Sequence, residues 1–330
     1  MKAAVYHGYG TPDVVKLEEI EKPTPEDNQV LIRVHAAAVN PLDWHYVRGT
    51  PYLIRLQAGL RRPKEPRIGV DYAGVVEAVG KSVTQFKAED EVFGGRTGAF
   101  AEYVVAREDR ALALKPSNAT FEQAAAIPVA GITALQGLRD KGKIQAGQKV
   151  LVNGAGGGVG SFAVQIAKTF GANVTGACST GNVELVRSIG ADRVIDYTQE
   201  DFTKGEQHYD LIFDNVSNHS LGECRRVLMP KGICIVNGGG GPESKWIGPL
   251  AGPVKAAVLS PFVSQKFVNF LAKLSKEDLN VLRDLVEAGK MTPVIGNRYS
   301  LSEVPEAIRQ MEGGHVRGKL VITVEHDGNS

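Results

Sequence analysis

An apolar strand that runs directly into a glycine-rich turn and then into a helix constrains the fold of this chain most strongly. Residues 150–152 form the predicted strand, residues 154–160 the turn, and the helical stretch follows in residues 161–168. A turn with so few side chains lets main-chain N–H groups approach an anionic group at the positive end of the helix. Gly157 and Gly160 stand where close approach and helix-on-strand packing demand glycine, and Ala155 replaces the first glycine of the usual pattern.

The turn therefore predicts a site for the pyrophosphate of a dinucleotide. The main chain of six consecutive residues is expected to form it: Ala155, Gly156, Gly157, Gly158, Val159 and Gly160.

The pattern on both sides of this turn predicts an α/β fold. Further apolar strands at 172–178, 193–197, 211–214 and 233–237 alternate with helical stretches, which is typical of a parallel, doubly wound sheet of Rossmann type. Residues 1–123 show short alternating strands instead, at 30–36, 74–79, 91–93 and 101–105, as in a rolled, mainly antiparallel sheet.

The chain of 330 residues exceeds the size at which one core stops growing, so we expect more than one domain. The predicted divisions are residues 1–123, a dinucleotide-binding domain over 124–269, and a segment over 270–330. This last segment has two helical stretches and strands at 293–299 and 318–324. It is too small to fold alone and is expected to return to the first domain.

Charge and hydropathy exclude several classes of protein. The formal net charge is +1 with acids and bases interspersed, so no broad basic face for nucleic acid is expected. The apolar runs are far shorter than the ~20 residues of a membrane span, and residues 1–6 have the pattern of a strand rather than of a signal peptide. These features predict a cytoplasmic protein without an integral membrane segment.

Cysteine and histidine spacing argues against a metal site. The three cysteines, Cys178, Cys224 and Cys234, have no metal-site spacing, and the seven histidines are scattered. His7 and His35 fall in predicted strands, where a structural role is expected. We therefore predict neither a structural nor a catalytic zinc site.

The residues after the second strand of the doubly wound part bear on the choice of cofactor. An acidic residue there would accept a hydrogen bond from the ribose 2′-OH and repel a 2′-phosphate. This chain has no carboxylate there before Glu184, and Ser179, Thr180 and Asn182 can donate to a phosphate. No arginine or lysine accompanies them. The pattern favours NADPH, with NADH possible, and the alternative is a polar loop in which Ser179 caps the next helix.

Two asparagines extend the predicted cofactor site. Asn215 and Asn237 follow the strands at 211–214 and 233–237. Ligands of such sheets bind outside the carboxyl ends of the strands. A contact with the cofactor and a purely structural role are both open for this pair.

Five motifs in the same order resemble those of one known family. They are residues 1–5 (Met-Lys-Ala-Ala-Val), 40–43 (Asn-Pro-Leu-Asp), 69–76 (Gly-Val-Asp-Tyr-Ala-Gly-Val-Val), 125–134 (Ala-Ala-Ile-Pro-Val-Ala-Gly-Ile-Thr-Ala) and 317–321 (Arg-Gly-Lys-Leu-Val). On these motifs the chain resembles the medium-chain dehydrogenase/reductase superfamily, in its zinc-free quinone oxidoreductase (zeta-crystallin-like) branch. The resemblance implies a GroES-like catalytic domain together with a Rossmann-type cofactor domain.

The resemblance also shows where this chain departs from the zinc alcohol dehydrogenases. Those enzymes hold zinc with a cysteine, a histidine–glutamate pair, and a second cysteine or an acidic residue. Alignment puts Asn40, the pair Val70 and Asp71, and Val129 at these positions. A site without a Lewis acid does not readily stabilise an alkoxide. The implied reaction is hydride transfer from NADPH to a quinone or an α,β-unsaturated carbonyl.

The resemblance implies roles for further residues. Tyr46 is similar to the tyrosine that lines the cleft, although one extra residue separates it from Asn40; Tyr52 is the second choice, and Asn40 could supply an amide donor. Thr133 resembles a threonine near the nicotinamide, and Tyr197 a tyrosine beside the 2′-phosphate. For Lys319, a contact on the pyrophosphate side and a structural role are both open.

Two segments and the oligomeric state complete the expectations. Residues 48–67 are rich in basic side chains and either cap the cleft or form a solvated loop. Residues 238–262 are rich in glycine, proline and small apolar residues, as in a lid or a partner surface. An edge strand within 255–272 would pair two copies into a homodimer.

Two other functional classes stay open. One is a nucleotide-binding protein with a regulatory or RNA-binding role, which some zeta-crystallin-like proteins are thought to have. The other is a zinc-type alcohol dehydrogenase with unusual ligands.

Overall fold

The structure, a computed structural model, describes residues 1–237, 264–314 and 316–326. The chain divides into two compact units, one formed by Met1–Ile132 with Leu274–Ser330 and the other by Thr133–Lys273. The sequence predicted divisions after residues 123 and 269. The predicted lid over 238–262, and the part of the predicted edge strand that precedes residue 264, lie outside the described residues.

A seven-stranded sheet forms the centre of the first unit. In spatial order its strands are β14–β15–β3–β4–β5–β7, and β6 pairs with β3. The strands are β3 (Gln29–Val39), β4 (Asp71–Val79), β5 (Glu91–Gly95), β6 (Tyr103–Arg107), β7 (Leu112–Leu114), β14 (Ile295–Ser300) and β15 (Lys319–Thr323). A separate antiparallel pair consists of β1 (Lys2–Val5) and β2 (Lys16–Glu19). All these pairings are antiparallel except that of β14 with β15.

The long strand β3 organises this sheet because it has partners on both sides. Its apolar side chains, such as Ile32 and Val34, are fully buried in one continuous core. Its carboxyl end pairs with β15, where Val39 lies opposite Leu320, and with β4, where Ala38 lies opposite Asp71. The ends of three strands therefore meet where β3 leads into the first helix.

The helices of the first unit begin at residues whose local sequence favours a helix start. They are α1 (Pro41–Arg48), α2 (Ile54–Ala58), α3 (Phe121–Ala125), α4 (Pro128–Leu135), α8 (Lys276–Glu287) and α9 (Val304–Gly313), with α4 ending inside the second unit. Thr120 starts α3 with a capping box: Thr120 Oγ1 accepts from the Gln123 N–H, and Gln123 Oε1 accepts from the Thr120 N–H. Proline at the first position of α1 fits a helix start, where no intrahelical bond is lost.

The second unit is a parallel sheet with the order β10–β9–β8–β11–β12–β13. Its strands are β8 (Lys149–Asn153), β9 (Asn173–Cys178), β10 (Arg193–Asp196), β11 (Tyr209–Asp214), β12 (Leu228–Val236) and β13 (Lys266–Asn269). Its helices are α5 (Gly158–Thr169), α6 (Val183–Ser188) and α7 (Leu221–Arg226), preceded by a π-helical stretch at Gln136–Lys141. The centre of strand β8 is apolar, with Val150, Leu151 and Val152 fully buried.

From β8 the chain adds β9 and β10 on one side of the sheet, and it then adds β11, β12 and β13 on the other side, so the strand order reverses between β8 and β11. This reversal is the topological switch point at which open parallel sheets bind ligands. The described part of the sheet has β13 at one edge, within the region where the sequence predicted an edge strand. The α/β class with one parallel and one mainly antiparallel sheet is confirmed.

One local expectation is wrong. The first strand ends at Val5, so His7 does not lie in a strand. The chain bends at residues 7–10, and the exposed His7 ring bonds the Glu18 carboxylate at 3.1 Å. His35 does lie in a strand, β3, with its ring stacked on Phe121 at 4.5 Å between centroids.

Candidate functional site

The glycine-rich turn of the second unit is built from main-chain contacts. Gly154 has φ +78°, a left-handed conformation that favours glycine. The N–H groups of Gly154 and Ala155 both donate to the Ala177 carbonyl, at 3.0 and 2.9 Å, and so fix the turn to β9. Helix α5 starts at Gly158, with the partly exposed Gly157 as its N-cap residue.

Close approach explains the glycines of this turn. A Cβ on Gly160 would lie 2.0 Å from the Gly154 carbonyl oxygen, and one on Gly156 would lie 2.7 Å from the Asn182 side chain. The turn is therefore lined by main-chain atoms. The 12-residue helix α5 follows it, and the first N–H groups of this helix have no intrahelical acceptor. This cradle fits the pyrophosphate of a dinucleotide.

The carboxyl edge of the parallel sheet carries a polar network beside this turn. The buried Asp214 Oδ1 accepts from Asn153 Nδ2 at 2.9 Å, from the Val216 N–H at 3.1 Å and from the Ser217 N–H at 2.9 Å. These bonds hold the loop after β11 in place. The sequence did not single out Asp214 as a site residue, although it stands at the end of a predicted strand.

The network brings the two predicted asparagines together. The Asn215 amide donates to the Asn153 carbonyl at 3.2 Å, and the Asn237 amide lies 3.5 Å from Asn215 Oδ1. Both side chains are half-buried at the carboxyl ends of their strands. They border the crevice in which a ligand of this sheet would lie.

The loop after β9 contains the predicted 2′-phosphate residues. Ser179 precedes a single 3₁₀ turn, Thr180–Asn182, and its hydroxyl accepts from the Asn182 amide at 3.3 Å. Ser179 therefore holds a cap position without a side-chain bond to the turn's main chain. Tyr197 is 39% exposed directly after β10.

A carboxylate that the sequence did not select lies in this loop region. Asp196 ends β10 and pairs in register with Cys178 at the end of β9. A hydrogen bond from Thr180 lowers the pKa of Asp196, and further bonds from the Thr198 hydroxyl and N–H, at 2.8 and 3.0 Å, act in the same direction. The sheet register, rather than proximity in sequence, places this charge beside Thr180.

A buried ionic cluster occupies the strand ends of the first unit. The Lys319 ammonium donates to Asn40 Oδ1 at 2.6 Å, to the Val39 carbonyl at 3.0 Å and to Asp71 Oδ2 at 3.3 Å. Asp71 also accepts from Asn40 Nδ2 at 2.9 Å and from the Val129 N–H at 3.1 Å. Asn40, Asp71 and Lys319 are each at most 2% exposed.

This cluster unites the positions that alignment placed at the zinc ligands of other superfamily members. Asn40, Asp71 and Val129 meet there, around the Lys319 ammonium. The sequence offered the Asn40 amide as one possible donor to the acceptor; in the structure Asn40 Nδ2 donates to Asp71 and its Oδ1 accepts from Lys319. For Lys319, a contact on the pyrophosphate side and a structural role were both open, and its ammonium lies within the first unit with three internal acceptors.

Within residues 1–237, 264–314 and 316–326, no group of three or more histidine, cysteine, aspartate or glutamate side chains could hold a metal ion.

A second carboxyl, which the sequence did not single out as a site residue, lies beside the cluster. Asp43 is at the third position of α1, and its Oδ2 accepts from the Asn40 N–H at 2.7 Å. Burial raises the pKa of Asp43 to about 7, and the like charge of Asp71 adds to the rise. The Asn40 N–H and the Lys319 ammonium oppose it. Burial likewise raises the pKa of Asp71, while Lys319, Asn40 and the Val129 N–H lower it.

A cavity of about 170 Å³ opens beside Asp43 within the first unit. Aromatic, apolar and charged residues line it: Tyr6, Asp43, Tyr46, Gln57, Ala58, Lys64, Glu65, Arg67, Ile68, Gly69, Val70 and Thr97. Tyr46 lines this cavity. Tyr52 is not among its lining residues.

Residues 48–67 supply one wall of this cavity and are firmly anchored. The Arg55 guanidinium lies over the rings of Tyr9 and Tyr52, 4.4 and 4.9 Å from their centroids, and its Nε donates to the Gly49 carbonyl at 2.8 Å. Arg48 forms two bonds to the Glu312 carboxylate, at 2.7 and 2.8 Å. The segment therefore forms part of the wall of a cavity within the first unit.

Comparison with known proteins identifies the family. Residues 26–117 match the family model of the alcohol dehydrogenase GroES-like domain, and residues 189–322 match that of the zinc-binding dehydrogenases. The chain is 36% identical to the NADPH-dependent alkenal/one oxidoreductase, chloroplastic, of Arabidopsis thaliana over 98% of this chain and 79% of that protein. It is 33% identical to the human quinone oxidoreductase over 98% of this chain and 97% of that protein. This chain belongs to the medium-chain dehydrogenase/reductase superfamily.

Solved structures agree with this assignment. The quinone oxidoreductase from Coxiella burnetii superposes with a TM-score of 0.85 at 30% identity, covering 98% of this chain and 99% of that chain. The predicted membership of the medium-chain dehydrogenases/reductases, in the quinone oxidoreductase branch, is confirmed, and the protein is an oxidoreductase. In the described part of the chain, no helix is both long and apolar enough to span a lipid bilayer.

Proposed function

We propose that this protein is an NADPH-dependent reductase of quinones and α,β-unsaturated carbonyls. The observation that carries the proposal is the main-chain cradle at residues 154–160, placed at the switch point of a parallel sheet. The names of its relatives add the cofactor and the acceptor class, since one is an NADPH-dependent alkenal/one oxidoreductase and others are quinone oxidoreductases.

Cofactor binding is assigned to the second unit. The main chain from Ala155 to Gly160 meets the pyrophosphate through the N–H groups at the start of α5 that have no intrahelical acceptor, while Asn215 and Asn237 border the crevice beside it. Thr133, which is 6% exposed on α4, is kept as the nicotinamide contact. Ser179, Thr180, Asn182 and Tyr197 surround the adenosine end. When bound, the nicotinamide supplies the hydride.

The first unit is assigned the acceptor. The cavity beside α1 has apolar walls from Ile68 and Val70 and two phenol groups from Tyr6 and Tyr46, which suits a flat conjugated carbonyl compound. The Tyr46 hydroxyl is the proposed donor to the oxygen that gains negative charge. We assign Asn40 and Lys319 the task of holding the start of α1, since their polar groups are bonded internally.

Steady-state kinetics test the proposal. Purified protein is assayed with NADPH and with NADH against quinones and enones, each with and without a chelator. Turnover that prefers NADPH and resists chelation supports the proposal. No turnover with any acceptor would overturn it, and loss of turnover on chelation would favour the zinc-type alcohol dehydrogenase.

A pair of tyrosine variants tests the assignment of the donor. Tyr46→Phe removes the hydroxyl from the cavity, and we expect kcat to fall roughly 100-fold, the scale for loss of one oxyanion donor. Tyr52→Phe serves as the comparison, because Tyr52 does not line the cavity, and is expected to keep kcat within about threefold. The opposite ranking would make Tyr52 the donor.

The remaining assignments are a cytoplasmic location and a homodimer. Cell fractionation tests the first and sedimentation at micromolar concentration tests the second. The alternative RNA-binding role predicts a salt-dependent shift of RNA on a native gel. We expect no such shift from a chain with a net charge of +1.

A further inference from the structure

Two buried carboxyl groups and one buried ammonium group lie together at the start of α1. Asp43, Asp71 and Lys319 are 1%, 0% and 2% exposed. If both carboxyls were ionised, the cluster would carry an unbalanced negative charge in a medium that solvates charge poorly. One proton on one of the carboxyls restores neutrality.

The hydrogen-bond donors show which carboxyl takes that proton. Asp71 accepts from the Lys319 ammonium, from the Asn40 amide and from the Val129 N–H, all of which favour its charged form. In the described structure, the Asp43 carboxyl accepts one hydrogen bond, from the Asn40 N–H. When the surroundings of two neighbouring carboxyl groups push their pKa values apart, one group serves as an acid and the other stays ionised.

Asp43 also lies on the wall of the proposed acceptor cavity. It lines the acceptor cavity together with Tyr46, which lies three residues later on the same face of α1, and with Tyr6 from the end of β1. Asp71 does not line this cavity.

We propose that Asp43 is the catalytic acid of the reduction, a role that rests on the proposed function. Hydride that NADPH supplies adds to the β-carbon of the enone, the C=C π pair becomes a new double bond between the α-carbon and the carbonyl carbon, and the C=O π pair moves to the oxygen, which gives an enolate. The O–H bond of Asp43 then breaks, its proton bonds to the α-carbon, and the electron pair of that O–H bond stays on Asp43. A proton from solvent restores the acid, so that each turnover consumes one NADPH and one proton.

The groups that face Asp43 set its pH response. The Asp71 carboxylate comes from β4, the Lys319 ammonium from β15 and the Tyr6 phenol from the residue after β1; the Asn40 N–H and Tyr46 come from the cap and the body of its own helix. Burial raises the pKa of the Tyr6 phenol, which therefore stays neutral. Because the pKa of Asp43 is about 7, enone reduction should lose rate above neutral pH as this acid ionises.

The variant Asp43→Asn keeps the shape and accepts the Asn40 N–H but carries no acidic proton. We expect kcat for an enone to fall at least about 100-fold, the usual scale of general acid catalysis, with the alkaline limb of the pH profile lost. The dissociation constant of NADPH is expected to stay within about twofold.

The control is Glu303→Gln, at another capping carboxyl of the same unit. Glu303 Oε2 accepts from the Ser300 N–H at 2.8 Å, as Asp43 does from Asn40, but Glu303 is exposed. This variant is expected to keep both kcat and the pH profile.

Infrared difference spectroscopy gives a readout that does not depend on turnover. A protonated carboxyl band that disappears between pH 6 and 8 in the wild type, and is missing from Asp43→Asn, is the expected result. If Asp43→Asn kept the wild-type kcat, or if its spectrum kept the carboxyl band of the wild type, the role of Asp43 would be overturned while the proposed function stayed intact. A wild-type protein that binds NADPH but reduces no acceptor would overturn both.

Discussion

Replacing Lys319 by methionine should destabilise the first unit strongly, because the change leaves a buried charge without its partner. The Lys319 and Asp71 side chains are 3% and 0% exposed, and the ammonium serves three acceptors at 2.6 to 3.3 Å. Methionine fills a similar volume but supplies no N–H group. Loss of one partner from a buried pair costs about 3–5 kcal/mol, and we expect Lys319→Met to fall in this range.

A double-mutant cycle separates the charge from the packing. Asp71→Asn alone leaves the Lys319 ammonium without its counter-charge, whereas the double variant Lys319→Met with Asp71→Asn contains no unbalanced charge at these positions. The double variant should therefore be more stable than the sum of the single effects predicts. We expect a coupling of about 2–3 kcal/mol, at the upper end for residues in one network.

Hydrogen exchange of peptides from β3 and β15, measured across a denaturant series, reports the stability of the first unit by itself. Lys22→Met is the matched control, because the pair of Lys22 and Glu77 is about 40% exposed on both sides, and should cost less than about 1 kcal/mol. A Lys319→Met effect as small as that of Lys22→Met, or a coupling near zero, would refute the reasoning.

Three further predictions follow from the same structure. Gly160→Ala should cost about 1–3 kcal/mol and abolish NADPH binding by calorimetry, because its Cβ would lie 2.0 Å from a main-chain oxygen; Gly181→Ala meets no atom within 4 Å and should change neither. Asp196→Asn should tighten NADPH but not NADH by roughly fivefold in fluorescence titrations, because an anion beside Thr180 repels a 2′-phosphate placed there; equal tightening of both cofactors would contradict this placement. Asp43 has a folded-state pKa raised from 3.8 to about 7, so its contribution to stability falls as pH rises from about 4 to 7. Asp43→Asn should therefore gain stability relative to wild type between pH 5 and 8, by at most about 4 kcal/mol in unfolding experiments, and a constant difference would argue against the raised pKa.

Much of the fold could be predicted from the sequence because it depends on local patterns. The predicted strands at 172–178 and 211–214, between helical stretches, correspond to β9 and β11, and the glycine turn indicated the position of α5. The short helix α2 was missed, because five residues carry too little periodicity to be recognised. The end of β1 at Val5 was missed for a similar reason, since only the bend at residues 7–10 decides it.

The site in the first unit was harder to predict, because contacts between distant segments create it. Asn40, Asp71 and Lys319 lie on three strands or strand ends whose register the sequence does not state. In the sequence, Asp43 stands out only as part of the motif at residues 40–43, and its acidity depends on burial that no local pattern reveals. Asp196 was missed because it approaches Thr180 through the pairing of β10 with β9.

The ionic cluster also constrains how a negative charge on the acceptor can be met. A lysine ammonium has three N–H donors, and those of Lys319 have three acceptors inside the protein: Val39, Asn40 and Asp71. Lys319 therefore has no donor left for a substrate oxygen, so its charge acts on the acceptor only through the groups that it holds in place. Because α1 begins at Asn40, the same bonds fix the helix that carries Asp43 and Tyr46. In the proposed mechanism, charge stabilisation and proton supply fall to these two side chains, and variants of Lys319 should affect the reaction through the position of α1.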